Sequence, residues 1–329
     1  MNRKRDLPDL TDWANRNRWI WSLIGVLLLW AVLAAVTSKL TLSSLSGVAI
    51  SGSFLALVAL GQMVVVTSGG GNIDLSIAGV MTLSAYVALI VISGQDSRLA
   101  LGLLTTLALG LAVGAANAAL VIVARIPAII ATLATGYALA TASLLANRAI
   151  PGFTIAPVLR VVATARVAGV PIMAVVAIVG AGLAAFVLNC TAYGRALSAT
   201  GQNKTAARLA GVRVNGVTAA AFLASSTLAA FTGLLLGAYV GGAFLEMGQP
   251  FLLQSLGAVV LGGTLIFGGS GTAAGTVFGA VLLVLIVTTM QIAKLPPGAQ
   301  DVVEGVVIIA VLALAGGGVL RRRSRKSIL

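Results

Sequence analysis

The sequence predicts an all-α polytopic membrane protein of about ten transmembrane helices, packed as a glycine-rich bundle with both termini on the cytoplasmic side. Three observations predict it. Apolar residues make up 59% of the 329 residues and charged residues only 9%, against about 25% charged in an ordinary soluble domain, so a water-soluble fold could not cover its surface. Apolar runs long enough to cross a hydrocarbon core of about 30 Å recur along the whole chain. Fourteen of the 21 Lys and Arg residues gather at the two ends and in one internal loop, the pattern of cations flanking membrane spans rather than of a nucleic-acid-binding face.

The runs lie near residues 19–37, 46–66, 75–93, 99–124, 127–146, 171–189, 217–241, 251–267, 273–292 and 302–320. An even number of spans puts both termini on one side. Fifteen basic residues then fall on the cytoplasmic side: Arg3, Lys4, Arg5, Arg16, Arg18, Arg125, Arg195, Lys204, Arg208, Arg213, Arg321, Arg322, Arg323, Arg325 and Lys326. Six fall outside, namely Lys39, Arg98, Arg148, Arg160, Arg166 and Lys294. The asymmetry favours N-in, C-in. The run from Trp19 to Val36 is too long for a signal-peptide core and no small-residue cleavage site follows it, so it is expected to remain as a span. The chain thus reads as a basic tail (1–18), one transmembrane domain (19–320) with a long cytoplasmic loop at 190–216, and a second basic tail (321–329). Residues 147–170, with Pro151, Gly152, Pro157 and three arginines, read as an external loop carrying a short surface helix.

The 39 glycines are patterned. Gly233, Gly237 and Gly241 recur every four residues, as do Gly271, Gly275 and Gly279, and Gly110 and Gly114 form a further pair. Small residues four apart line one helix face and let backbones approach closely. Residues 60–80 also align with 261–281 at a constant offset, each an apolar run, a glycine-rich break and another apolar run. Duplication is a common origin of transporters, and similar composition is the alternative.

Little in the chain suits catalysis. There is no histidine and only one cysteine, Cys190, so the commonest general base and metal ligand are missing and no metal site is expected. Acidic residues are nearly absent from the spans, leaving a proton- or ion-coupled mechanism few groups to use. Asp74 follows the break from Ser68 to Ile73 and admits two roles: capping the next helix, or facing a hydroxyl-rich solute together with Asn72 and Ser76. Gln62, Asn117, Gln254 and Gln291 are further polar candidates for a pathway or for helix–helix bonds. Glu304 reads as an external-interface residue, with pairing to a neighbouring helix as the other option.

In the loop 190–216, Ala206, Ala207, Leu209 and Ala210 form an apolar face beside Arg208 and Arg213, between turns at Gly194, Gly201 and Gly211. Such a short helix can dock in a groove on a partner. Gly201 to Thr205 is not a phosphate-binding loop, because Asn203 stands where the P-loop needs a glycine before its lysine.

Three segments resemble the ribose/xylose/arabinose-type family of ABC-transporter permeases. They are Gly61-Gln62 through Ile73-Asp74-Leu75-Ser76, with Asn72 and Ala78 in place of two glycines; the loop residues Gly194, Arg195, Gly201, Asn203, Ala206, Ala207, Arg208 and Gly211; and the block from Val260 to Gly279. The resemblance implies an inner-membrane, multi-pass permease that pairs with a second copy or close paralogue. It further implies an ABC ATPase subunit holding ATP and Mg, a periplasmic or external sugar-binding protein, and a monosaccharide or related polyol as cargo. The loop around Arg195 to Gly211 would touch the ATPase. An ion-coupled secondary transporter or facilitator is the competing reading, and an intramembrane enzyme lacks the residues it would need.

Overall fold

The computed structural model describes residues 19–37, 42–148 and 152–326. The tails 1–18 and 327–329, Lys39 and Pro151 lie outside the described residues. The elements are α1 (Trp19–Thr37), α2 (Leu42–Thr67), α3 (Ile77–Ile92), α4 (Leu99–Ile122), α5 (Ala128–Arg148), α6 (Pro157–Thr164), α7 (Ile172–Cys190), α8 (Ala192–Gln202), α9 (Lys204–Leu209), α10 (Val214–Val240), α11 (Gln249–Leu261), α12 (Ala273–Ile292) and α13 (Pro297–Lys326). A two-residue antiparallel pair, Arg166–Val167 with Val170–Pro171, follows α6. Each predicted apolar run is a helix here. Six of these helices are long and apolar enough to cross a membrane, while α1, α3 and α11 are apolar but shorter.

One boundary differs in kind. The run 251–267 stops being helical at Leu261, because Gly263, Gly268 and Gly269 take positive φ values of 84°, 89° and 84°, a backbone region that glycine enters without steric cost. Hydrophobicity alone cannot see that break. The external loop carries its surface helix as expected, and Asp96 Oδ1 accepts the Val158 N–H at 3.0 Å, pinning the start of α6.

The bundle is built around α2, whose stretch Ser46–Thr67 is 89% buried. Helices α7, α10, α11 and α12 pack against it, and α10 also packs along α3 and α4. By contrast α4, α5 and α7 bury only 28%, 22% and 11% of their spans, so their outer faces meet lipid or a partner. Glycine sets the closest approaches. An added Cβ at Gly110 or Gly114 would meet the α10 backbone at Thr227 or Leu223, one at Gly233 the Met81 backbone, and one at Gly279 the Ala258 carbonyl. Gly275 is likewise pressed on Gly262, and Gly237 on the side chains of Ala85 and Leu89.

Two members of the four-residue series have other roles. Gly241 is the left-handed C-cap of α10 at φ 88° with open space where a Cβ would stand, and Gly271 lies before α12, against Thr67, Met63 and Thr264. Spacing by four marks one face only while the helix continues.

Candidate coupling and translocation site

The three segments singled out in the sequence meet at one point. Helix α2 ends at Thr67, and Gly69, Gly70 and Gly71 follow with φ of 72°, 74° and 75°. The Gly269 N–H donates to the Thr67 carbonyl at 2.9 Å, joining the α11–α12 turn to the end of α2. Gly201, in the last turn of α8, lies between them: a Cβ there would collide with the Thr67 carbonyl and the Gly269 backbone. Gly69 faces Gly201 and Gly268 just as closely, and the Lys204 ammonium lies over Gly70. Backbone rests on backbone, so displacement of the loop carries both breaks with it.

The loop is two short capped helices. Thr191 Oγ1 accepts the Gly194 N–H at 3.2 Å to start α8. Asn203 Oδ1 accepts the N–H groups of Thr205 and Ala206, both at 3.0 Å, to start α9, as an Asn N-cap does. Gly211, at φ 83°, ends α9 while its N–H bonds the Arg208 carbonyl at 3.0 Å. Gly194 carries no side chain because the Leu188 carbonyl occupies that space. Of the apolar face read from the sequence, only Ala207 turns into the bundle, whereas Ala206, Leu209 and Ala210 are exposed, as are Arg195 and Arg208, so the four do not form one packed face. Leu209, 86% exposed, is a large apolar side chain presented at the tip.

Beyond the junction, residues 72–76 take no regular secondary structure before α3 begins, and Ser76 is already in the helical region at φ -80° and ψ -10°. Asp74 is level with Ser225, eleven residues into α10, which at about 1.5 Å per residue is ~16 Å from that helix's end. Irregular backbone at such depth persists where its polar groups are satisfied within the protein or line a cavity. Three of its N–H groups are bonded, while Gln62 Nε2 and Asn117 Oδ1 beside them are buried with no hydrogen-bond partner among the described residues. The Asp74 N–H donates to Gln62 Oε1 at 3.2 Å, the Leu75 N–H to Thr132 Oγ1 at 2.9 Å, and the Ser76 N–H to Asp74 Oδ1 at 3.0 Å. Ser76 Oγ donates to Asp74 Oδ1 at 2.6 Å, Ser225 Oγ to Asp74 Oδ2 at 2.8 Å, and Asn117 Nδ2 to Ser76 Oγ at 2.8 Å.

Four of the sequence-selected polar residues, Gln62, Asp74, Ser76 and Asn117, therefore form one buried network. Asn72 stands apart, bonded to Ser68 Oγ at 2.9 Å. Asp74 does not cap α3: the N-cap is Ser76, whose side chain makes no capping bond, and the Asp74 carboxylate accepts the Ser76 N–H just before the helix starts. Thr132 and Ser225, which complete the network, escape sequence reasoning, since isolated hydroxyls in apolar runs carry no signal of their own. Gln254 Nε2 donates to Glu304 Oε2 at 3.0 Å, so Glu304 pairs with a neighbouring helix rather than standing alone at the interface.

A cavity of about 340 Å³ opens beside the network, between the start of α3, the face of α5 and the α10–α11 loop. Tyr137, Ser143, Thr82, Gln249 and Glu246 supply its polar lining, and among the described residues no Lys or Arg lines it. The loop reaches this depth because the Gly248 N–H donates to Thr82 Oγ1 at 3.2 Å and Gly248 packs on the Ala78 carbonyl. Two helices, α3 and α11, thus start at its wall. The sequence-selected polar residues lie behind this cavity, not on its lining.

A family profile described as "Branched-chain amino acid transport system / permease component" matches residues 44–312. The chain belongs to that permease family. Similar curated proteins include the autoinducer 2 import system permease protein LsrC of Enterobacter sp. (strain 638), 32% identical over 304 residues and covering 92% of this chain and 87% of that protein. The LsrC proteins of Shigella flexneri, 31% identical over 91% of this chain and 87% of their own, and of Photorhabdus laumondii, 32% identical over 91% and 90%, are alike in extent. No solved structure matches significantly. The permease is accordingly the multi-pass inner-membrane translocation subunit of an ABC importer. Its matched region takes in the glycine junction, the network and the cavity together.

Proposed function

We propose that this permease spans the membrane ten times with both termini inside, pairs with a second copy or close paralogue, and imports a monosaccharide or related polyol. An ABC ATPase subunit supplies ATP and Mg, and an external binding protein delivers the cargo. The observation that carries the reading is the Gly201 contact with Thr67 and Gly269, which links the exposed α8–α9 loop to both breaks. When the ATPase pair closes, the loop moves, and the junction transmits that motion to the irregular segment 72–76 and so to the start of α3 at the cavity wall. Rigid elements packed without side chains between them suit such transmission.

The cavity chemistry supports a neutral, hydroxyl-rich cargo. Tyr137, Ser143, Gln249 and Glu246 can donate to or accept from hydroxyls, whereas no cation among the described lining residues would receive the carboxylate of an amino acid. The autoinducer 2 importer named for the relatives points to the same class over the branched-chain amino acids of the family description.

Reconstitution of the permease with its ATPase and binding protein in proteoliposomes tests this. ATP-dependent sugar uptake is expected, and Arg208→Glu is expected to leave insertion intact while separating ATP hydrolysis from uptake. Uptake that needs no ATPase but collapses with an ion gradient would establish the secondary-transporter reading instead. Uptake of leucine or valine in preference to any sugar would reassign the cargo.

A further inference from the structure

A second cavity lies on the side of the α8–α9 loop, apart from the cavity at the start of α3. It encloses about 710 Å³ where α4 ends, α9 passes and α10 begins. Arg125, Lys204, Arg208 and Arg213 all line it, with Asn215 and Thr218, and among the described residues no carboxylate does. The cations come from three separate elements: the α4–α5 turn, α9, and the residue preceding α10. A bias toward basic loops explains cations on this face. It does not explain why Arg125 converges on one cavity with Lys204, Arg208 and Arg213 of the later loop.

The surroundings favour an anion carried by a lipid. Val121, Ile122 and Val214 make one wall apolar. Beside it Val123 is 79% exposed and Ile130 60%, so an apolar outer surface runs from the cavity rim along α4 and α5. The 27-residue helix α10 also begins here without a side-chain cap at Arg213; its first amide, Val214, is taken by the Val212 carbonyl at 2.9 Å, and the dipole of a helix start favours phosphate oxygens. Cationic residues between membrane helices at the cytoplasmic surface are suited to lipid headgroups.

We infer that this cavity binds the phosphate headgroup of an anionic phospholipid, with the acyl chains lying along the outer faces of α4 and α5. Lys204 connects the site to the coupling junction, because its ammonium also lies over Gly70. A bound headgroup would balance the four cations and hold α9 against the α2–α3 break. Any effect on coupling rests on the import reading; the binding site itself does not.

Native mass spectrometry of the purified full-length permease, titrated with phosphatidylglycerol or phosphatidylcholine, tests the site. The wild type is expected to retain phosphatidylglycerol preferentially, and Arg125→Gln/Arg213→Gln to weaken that retention about tenfold or more, given two cations removed near the membrane surface. Single Arg213→Gln, expected to give a smaller loss in the same direction, serves if the double variant does not fold. Equal retention of both lipids, or retention unchanged in the folded variants, overturns the proposal. Inorganic phosphate forms a separate arm: protection of wild type by phosphate, without preference for phosphatidylglycerol, would assign a soluble anion and overturn the lipid. The readout is lipid retention, so its failure would leave the import reading untouched.

Discussion

Ser225 Oγ donates a 2.8 Å hydrogen bond to Asp74 Oδ2, tying α10 to the buried irregular segment between α2 and α3. The other carboxylate oxygen accepts the amide and hydroxyl of Ser76. Gly61 makes room for this arrangement, since an added Cβ there would run into the Ser225 backbone.

Ser225→Ala should therefore lower stability by about 1–3 kcal/mol, the cost of leaving a buried polar group without its hydrogen-bond partner. Thermal unfolding of the purified permease in detergent would show a depressed midpoint. Thr227→Ala, two residues further along α10, is the comparison: its buried hydroxyl has no hydrogen-bond partner among the described residues, so its removal should leave the midpoint unchanged or slightly raised.

Gly201→Ala should disturb the junction, because its methyl group would meet the Thr67 carbonyl and Gly269. Overpacking of this kind costs about 1–3 kcal/mol. Gly182→Ala, with ordinary φ and open space around it, should be silent. In the reconstituted complex, the Gly201 variant is expected to hydrolyse ATP while uptake falls about tenfold or more, a loss of about 1.4 kcal/mol or more in coupling. Equal uptake by both variants would remove the junction from the coupling path.

Tyr137→Phe and Gln249→Leu each delete a polar group from the cavity lining. Loss of one hydrogen bond to the cargo is worth about 1 kcal/mol, so several-fold higher KM for uptake is expected with unchanged ATP hydrolysis in the absence of cargo. Initial-rate uptake across a range of sugar concentrations separates this from a loss of folded protein.

Lys204 is half-buried, and desolvation lowers its pKa below the ordinary 10.5. The sign follows from linkage: with the folded pKa below the unfolded one, the charged form is disfavoured by folding. That penalty is fully present below the folded pKa and is relieved as pH rises toward 10.5. Lys204→Met should remove it, raising the unfolding midpoint at neutral pH in zwitterionic detergent and flattening its alkaline dependence. Midpoints measured from pH 7 upward would check both effects.

Much of the architecture is legible in the chain. Each apolar run forms a helix, the surface helix at Pro157–Thr164 lies inside the expected loop, and the glycine-bearing loop 190–216 forms capped helices. These features depend on local quantities, namely apolarity over a span, capping side chains and left-handed glycines. The site is legible only in part. Gln62, Asp74, Ser76 and Asn117 can be picked out as polar residues in apolar surroundings, but Thr132, Ser225, Tyr137 and Gln249 cannot. A hydroxyl or amide acquires its role from what is brought opposite it.

Sequence by itself determined that this is a helical membrane protein without histidine, with a glycine-marked break from Ser68 to Ile73 and a basic loop at 190–216, whereas the helix end at Leu261 inside the run 251–267 was decided by the structure. It also carried the family resemblance that the comparisons support. Only the tertiary structure decided that Gly69, Gly201 and Gly268–Gly269 are one contact, that Gly241 ends a helix instead of packing one, and that the α10–α11 loop descends to form a cavity wall. The physical reason is range. Solvent transfer and backbone propensity act residue by residue along the chain, whereas close packing and buried hydrogen bonds need partners that the chain supplies only after it has folded back on itself.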